Sequence, residues 1–432
     1  IMNKDILRLT IPNIISNITV PLLGMVDLYI VGHLDSEYYI GAIALATTIF
    51  NFIYWNFSFL RMGTSGFTAQ AYGAENEKEQ VNILVRSLAV AFTFGVLIIA
   101  LQSLILYVGF FFIDAGETVR SYAGDYFHIY IWAAPAILGM YAMNGWYVGM
   151  QNAKVPMFVA IGINIINIGL SFLFVYGFGM KIEGVALASV CAQYSGFISS
   201  VIICNYQYRR LKQYIELKIL KNVAAFRPFF KVNANIFIRT LALVAVTTFF
   251  MSASAKAGDD ILSVNALLMQ LFILFSYMMD GFAYAAEALT GKFIGANNRA
   301  KLKTLVKFLF MWGIVIASLF TLIYGLFTDQ ILGFITNKAN ILSLSRQYQF
   351  WVLLIPIASF SAFLWDGIFV GATASRQMRN SMLVACGAFF ILYFVFSDRY
   401  ANNILWLSFI VYLALRGIMQ GFMARSILNE SK

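Results

Sequence analysis

The stretch GWYVGMQNAKVPM (Gly145–Met157) returns 222 residues later as GIFVGATASRQMRNSM (Gly367–Met382). A second pair, AQAYGAEN (69–76) and GKFIGANN (291–298), keeps the same offset and lays Gly73 on Gly295. Pro135 and Pro356 fall within one residue of it. The chain therefore reads as two copies of one unit, and hydropathy says what the unit is made of. Of 432 residues, 61% are hydrophobic and 12% charged, with mean hydropathy +0.77. Soluble domains carry roughly 25% charged residues. Apolar stretches long enough to cross a bilayer recur near 11–33, 40–69, 87–112, 128–150, 157–178, 183–205, 228–255, 261–291, 305–328, 348–371, 380–397 and 402–424.

Six spans per copy is an even number, so both copies enter the membrane from the same side. This predicts parallel repeats related by a pseudo-two-fold axis along the membrane normal, an arrangement known among secondary transporters. The expected fold class is an all-α polytopic membrane protein, with twelve transmembrane helices in two six-helix bundles. Residues 1–205 are expected to form an N-terminal lobe, 206–227 a basic cytoplasmic linker and 228–432 a C-terminal lobe.

The net charge of +10 raises the question of nucleic acid, and its distribution answers it. With the N-terminus placed in the cytoplasm, roughly 21 Lys and Arg fall on the cytoplasmic side and roughly 6 outside, the bias that orients membrane proteins. Arg209, Arg210, Lys212, Lys218, Lys221, Arg227 and Lys231 crowd the central connection. Such charge sets orientation and meets anionic headgroups. No basic and aromatic module lies outside the membrane, so no nucleic-acid partner is expected. The expected partners are the lipid bilayer and small molecules. A monomer is expected in the plasma (bacterial inner) membrane, with both termini cytoplasmic and no signal peptide ahead of NKDILRL. Cys191, Cys204 and Cys386 lie in apolar runs without metal spacing, and His33 and His128 are the only histidines, so no metal site is expected. The chain carries no His/Glu metal motif, nucleophile elbow or phosphate loop, so it does not read as an enzyme.

Function must then come from polar groups inside the membrane. MVDLYIVGHL (Met25–Leu34) holds Asp27 in an otherwise apolar run, where a charged Asp costs roughly 2.5–3.5 kcal/mol. Desolvation disfavours the charged form, so an isolated carboxylate there is a candidate to exchange a proton. Pro21, six residues earlier, removes a backbone donor and marks a candidate hinge. The second span carries Tyr54, Ser58, Arg61, Ser65 and Thr68 at spacings of three and four, a stripe on one helical face. Its repeat partner carries Gln270, Tyr277, Asp280, Tyr284 and Glu287, and the offset lays Ser58 on Asp280 and Ser65 on Glu287. Stripes of this kind either bind neighbouring helices or line a watery interior. The second copy gathers Asp280, Glu287 and Asp366, with Arg239 as a balancing charge. A carboxylate beside an arginine stays ionised and reads as structural. In the fifth span Asn164, Asn167 and Ser171 share a face, and in the sixth Ser189 joins a run of small residues. These groups either hydrogen-bond Asp27, line its pocket or pack helices together.

Five segments in order resemble the multidrug and toxic compound extrusion (MATE) family, in its DinF-type, DNA-damage-inducible branch. They are MVDLYIVGHLDSEYYIGAIALATT from Met25, FLRMGTSGFTAQAYG from Phe59, NIINIGLSFLFVYG from Asn164, VNALLMQLFILFSYMMDGFAYAAEALTGKFIGA from Val264 and WDGIFVGATASRQMRNSM from Trp365. The resemblance implies two six-helix bundles and antiport of drugs against protons or sodium. It also implies that Asp27 takes part in cation coupling and substrate release, with Asn167 and Ser189 in the same cluster. One departure is Ser171, where the family usually shows an aspartate; a site with fewer carboxylates suits a hard cation less well. The expectation is a secondary exporter of amphipathic, often cationic, organic compounds. It works by alternating access, with the proton rather than sodium as coupling ion and no other cofactor. The alternatives are a lipid-linked precursor flippase of the same superfamily and a sodium-coupled exporter.

Overall fold

The computed structural model describes residues 1–429. They form α-helices α1 (Met2–Gly32), α2 (Tyr38–Asn56), α3 (Phe59–Gly73), α4 (Glu77–Ala100), α5 (Gln102–Phe112), α6 (Glu117–Tyr130), α7 (Ala134–Gly149), α8 (Lys154–Phe172) and α9 (Ile182–Gln207). After two 3-10 turns come α10 (Val223–Lys256), α11 (Asp259–Gly295), α12 (Arg299–Ile335), α13 (Ala339–Ser345), α14 (Gln349–Gly371), α15 (Ser375–Tyr400) and α16 (Asn402–Asn429). No strand occurs among the described residues.

Eleven of the paths are long and apolar enough to cross a membrane, α2 with α3 counting as one. The twelfth is the fourth predicted span, which the structure divides into α6, a 3-10 turn at Ile131–Ala133, and α7. Pro135 sits in the first turn of α7, where its missing N–H is harmless. This path starts at Glu117, well before the predicted 128, because ETVRSYAGDYF is too polar to register as a span. The predicted 87–112 likewise begins earlier, at Glu77. The Asn76 side chain accepts from the Glu79 N–H and caps α4 there.

The chain divides into two compact units, residues 11–230 and residues 1–10 with 231–432. Two of the expected boundaries are thereby corrected. The first ten residues belong with the second half of the chain. Ile6, Leu9 and Thr10 are buried, and Asn3 Oδ1 accepts from Trp312 Nε1 at 3.1 Å. The stretch expected as the basic linker, 206–227, is grouped with the first unit. Its 3-10 turns, Arg209–Tyr214 and Leu217–Lys221, carry a buried Leu211. Arg210 pairs with Glu77 at 2.7 Å and Lys78 with Glu216 at 3.8 Å.

The repeat seen in the sequence recurs as geometry within each unit. A Cβ on Gly145 would strike the carbonyl oxygen of Arg61, and a Cβ on Gly367 that of Ala283. The next glycines, Gly149 and Gly371, meet the carbonyls of Ser65 and Glu287. Each pair keeps the 222-residue offset, so α7 lies on α3 as α14 lies on α11. The turns repeat as well. Glu75 and Asn297 take φ of 55° and 53°, Gln151 and Thr373 take 65° and 54°. In each case the following N–H reaches back to close the helix end: Asn76 to Ala71, Asn298 to Phe293, Asn152 to Tyr147, Ala374 to Phe369. The quoted motifs are thus left-handed helix stops flanked by glycines that admit a neighbouring backbone.

Candidate functional site

In the first unit Asp27 rides on α1, which runs unbroken through Pro12 and Pro21. Its side chain is half-buried, its Oδ1 has no hydrogen-bond partner, and among the described residues no lysine or arginine pairs with it. The groups that face it electrostatically are the phenols of Tyr126 and Tyr130 on α6. On α9, Ser189 lies beside Tyr126 and Gln193 beside Tyr130. Phe50 seats this pair from α2, with ring centroids 4.7 Å from Tyr130 and 4.9 Å from Phe127.

Beneath the tyrosines lies a buried chain of amide and hydroxyls. Asn167 Nδ2 donates to Ser189 Oγ at 2.9 Å, and Ser171 Oγ donates to Asn167 Oδ1 at 3.1 Å. All three side chains are buried. Asn164 Nδ2 donates to the Thr19 carbonyl of α1 at 3.1 Å, two residues before Pro21. The sequence reading grouped Asn164, Asn167, Ser171 and Ser189, and the structure brings Asn167, Ser171 and Ser189 together while Asn164 ties α8 to the helix that carries Asp27. None of the four hydrogen-bonds Asp27 itself. Close to the carboxylate and beside Ser189 stands Tyr126, which the sequence reading missed. Its signal was present as Tyr122, Tyr126 and Tyr130, four residues apart on one face of α6.

Beyond the C-terminal end of α1, Lys181 Nζ donates to Asp35 at 2.8 Å, joining the connection after α1 to the one before α9. This hydrogen bond, with the attraction between the two charges, holds the Asp35 carboxyl below its ordinary value and the Lys181 ammonium above its own.

The polar stripe of the second span is not continuous. α2 stops at Asn56 and α3 starts at Phe59, with Ser58 in the 3-10-like turn between them. Tyr54 is buried against the tyrosine cluster with its hydroxyl unpartnered. Arg61 sits half-buried on α3. Ser65 and Thr68, for which the sequence left helix packing and a cavity lining both open, are fully buried where Gly149 of α7 packs against them. That end of the stripe is helix packing.

The second unit organises its acid differently. Asp366 on α14 accepts from Arg239 of α10 at 2.5 Å, from Arg416 of α16 at 2.6 Å, and from Gln420, one turn further along α16, at 2.6 Å. The cluster is buried. Arg239 was the expected counter-charge; Arg416 and Gln420 complete it at a spacing of four on one helix face. Asp280 and Tyr284 are half-buried on α11 and Glu287 is buried there. Among the described residues no group of three His, Cys, Asp or Glu is placed to hold a metal ion.

Two bundles of one repeated plan, with charged side chains held inside helices that cross the membrane, define a membrane protein of the secondary-transporter class. The MatE family model matches residues 12–173 and again 236–397, once per repeat. The chain is 36% identical to DNA damage-inducible protein F of Escherichia coli (strain K12), over 96% of this chain and 90% of that protein. It is 21% identical to the probable multidrug resistance protein NorM of Thermotoga maritima, over 80% of this chain and 75% of that one. A solved structure, described as MATE in the bent conformation, superposes with TM-score 0.86 at 20% identity, over 99% of this chain and 95% of that one. The chain belongs to the MatE family, whose members are multidrug and toxin efflux transporters and not enzymes.

Proposed function

We infer that this protein exports amphipathic, often cationic, organic compounds in exchange for protons, and that Asp27 is the group that carries the proton. The observation that supports this most is the contrast in partners: Asp27 has no counter-charge and one unpartnered oxygen, whereas Asp366 is held by two arginines and an amide. A carboxylate without a fixed counter-ion can lose its charge without orphaning a buried cation. Pro21 serves as the hinge on which α1 changes shape when Asp27 changes charge, with Asn164 gripping the helix just before it.

The neighbourhood favours the proton over sodium. It supplies one carboxylate and otherwise phenols, an amide and hydroxyls, and the Asn167 oxygen is already engaged by Ser171; hard cations take several oxygen ligands, charged ones among them. The flippase reading is disfavoured by Arg239 and Arg416, since both charges are spent on Asp366 rather than offered to a pyrophosphate. The test is efflux from proteoliposomes under an imposed pH gradient and, separately, an imposed sodium gradient. The pH gradient drives export by the parent, and Asp27→Asn reduces it to background while Asp27→Glu retains part. Export driven by sodium alone overturns the proton assignment. Normal export by Asp27→Asn overturns the role of Asp27.

A further inference from the structure

The outer faces of α8 and α9 enclose two contiguous hollows of ≈ 380 and ≈ 140 Å³ that share Phe158 and Ile203. Their walls are almost wholly apolar. The larger hollow opens at the start of α8 and the end of α9, beside Val155 and Gln207; the smaller continues it past Gly162 and Gly196. Gly162 is its open floor: a Cβ built there meets nothing within 4 Å. Both helices are long and apolar enough to span a membrane, so hydrocarbon fills this groove.

The mouth is chemically different from the groove. Asn152 Nδ2 donates to Gln207 Oε1 at 3.1 Å and to the Tyr208 hydroxyl at 3.3 Å, closing the two helix ends together. Lys154 lies two residues after Asn152 and Arg209 directly follows Tyr208; both are exposed and, among the described residues, neither is in an ion pair, whereas neighbouring Arg210 is committed to Glu77. Two uncommitted cations thus flank the polar end of an apolar channel, at the level where a membrane helix meets headgroups. Tyr206, 85% exposed, stands at the same level, where amphipathic rings sit.

We propose that the α8–α9 groove is a binding site for one anionic phospholipid, its acyl chain lying over Gly162 and its phosphate held by Lys154 and Arg209. Zwitterionic lipids fit the channel but gain little from the mouth; the charge complementarity selects the anionic class. The site lies entirely within residues 11–230 and does not depend on the transport reading above.

Native mass spectrometry of the full chain, with phosphatidylglycerol or phosphatidylcholine of identical acyl chains added, tests this. The parent retains one phosphatidylglycerol in preference to phosphatidylcholine by on the order of tenfold, given the surface attraction of two cations. Lys154→Gln with Arg209→Gln brings the two lipids to near parity. Gly162→Phe, which projects into open space, removes the retained molecule of either lipid. Lys301→Gln with Lys303→Gln, an exposed unpaired couple on α12, changes nothing. The proposal is overturned if the Lys154/Arg209 variant keeps the preference, if the α12 variant loses it equally, or if Gly162→Phe retains the lipid.

Discussion

Asp27 and Asp366 are the same residue type in helices of the same apolar character, and their surroundings are opposite in kind. Asp366 is built into a three-helix clamp: two guanidinium groups and an amide converge on its oxygens, and α10, α14 and α16 are joined by that convergence. Its charge cannot leave without stranding Arg239 and Arg416. Asp27 has no such counter-charge among the described residues; close to it are the phenols of Tyr126 and Tyr130, and behind them a chain of hydroxyls and an amide that bond one another. On the proposed reading its charge changes without stranding a buried cation. The two halves share a backbone plan down to the glycine contacts, yet their polar interiors have diverged, one holding an acid without a counter-charge and one an acid clamped by two arginines and an amide.

The contrast is open to attack at several points. The largest expected effect is on the clamp. Asp366→Ala leaves two buried guanidiniums without their carboxylate and costs about 3–5 kcal/mol, the usual penalty for removing one partner of a buried ion pair; thermal unfolding in detergent reads it directly. Asp27→Asn should leave that transition unmoved. If the two variants melt alike, the distinction between fixed and responsive acids is lost. Next come the shared elements. Gly145→Val and Gly367→Val each force a side chain into a backbone carbonyl, costing about 1–3 kcal/mol, and the repeat requires that the two penalties be similar. A large disparity means that the two helix pairs do not pack alike.

Smaller effects probe the path around Asp27. Tyr126→Phe removes the hydroxyl that stands beside Ser189 and close to Asp27. It should cost about 0.5–1.5 kcal/mol of stability and lower proton-driven efflux severalfold, with little change in an exchange assay run without a gradient. The smallest effect belongs to the Asp35–Lys181 link. Lys181 keeps Asp35 below its ordinary value, so that contribution is present above the normal carboxylate value and fades as pH falls through the depressed one. Asp35 keeps Lys181 above its ordinary value, so the reciprocal contribution fades as pH rises through the raised one. Between about pH 4 and pH 10 the link is intact, and both side chains are exposed to water. Lys181→Ala is expected to move the melting curve barely at all at neutral pH and to let the Asp35 titration, followed by NMR, return upward.

Much of this contrast was legible before any coordinates, and the reasons are physical. Membrane helices must be apolar over their full thickness, so their number follows from hydropathy. The repeat shows because glycine alone admits a backbone carbonyl at Gly145 and Gly367, and because the left-handed stops after Gly73 and Gly295 constrain the residues around them. Asp27 stood out because an acid in hydrocarbon is costly. The break at Ser58 did not show, since a two-residue turn leaves periodicity almost unchanged. Nor did the start of the fourth path, because its first turns are polar. Tyr126 and Tyr130 were hidden for a different reason: in a chain with 16% aromatics, a tyrosine facing an acid looks like a tyrosine facing lipid. Arg416 and Gln420 lie some fifty residues from Asp366 along the chain, and spacing alone cannot report a meeting across that distance.

The most direct measurement follows proton release from purified protein in weakly buffered solution when a lipophilic cation such as tetraphenylphosphonium is added. The parent should release protons on binding, Asp27→Asn should bind without release, and Arg416→Lys, which keeps the clamp's charge, should behave as the parent. Proton release of equal size from Asp27→Asn would contradict the account.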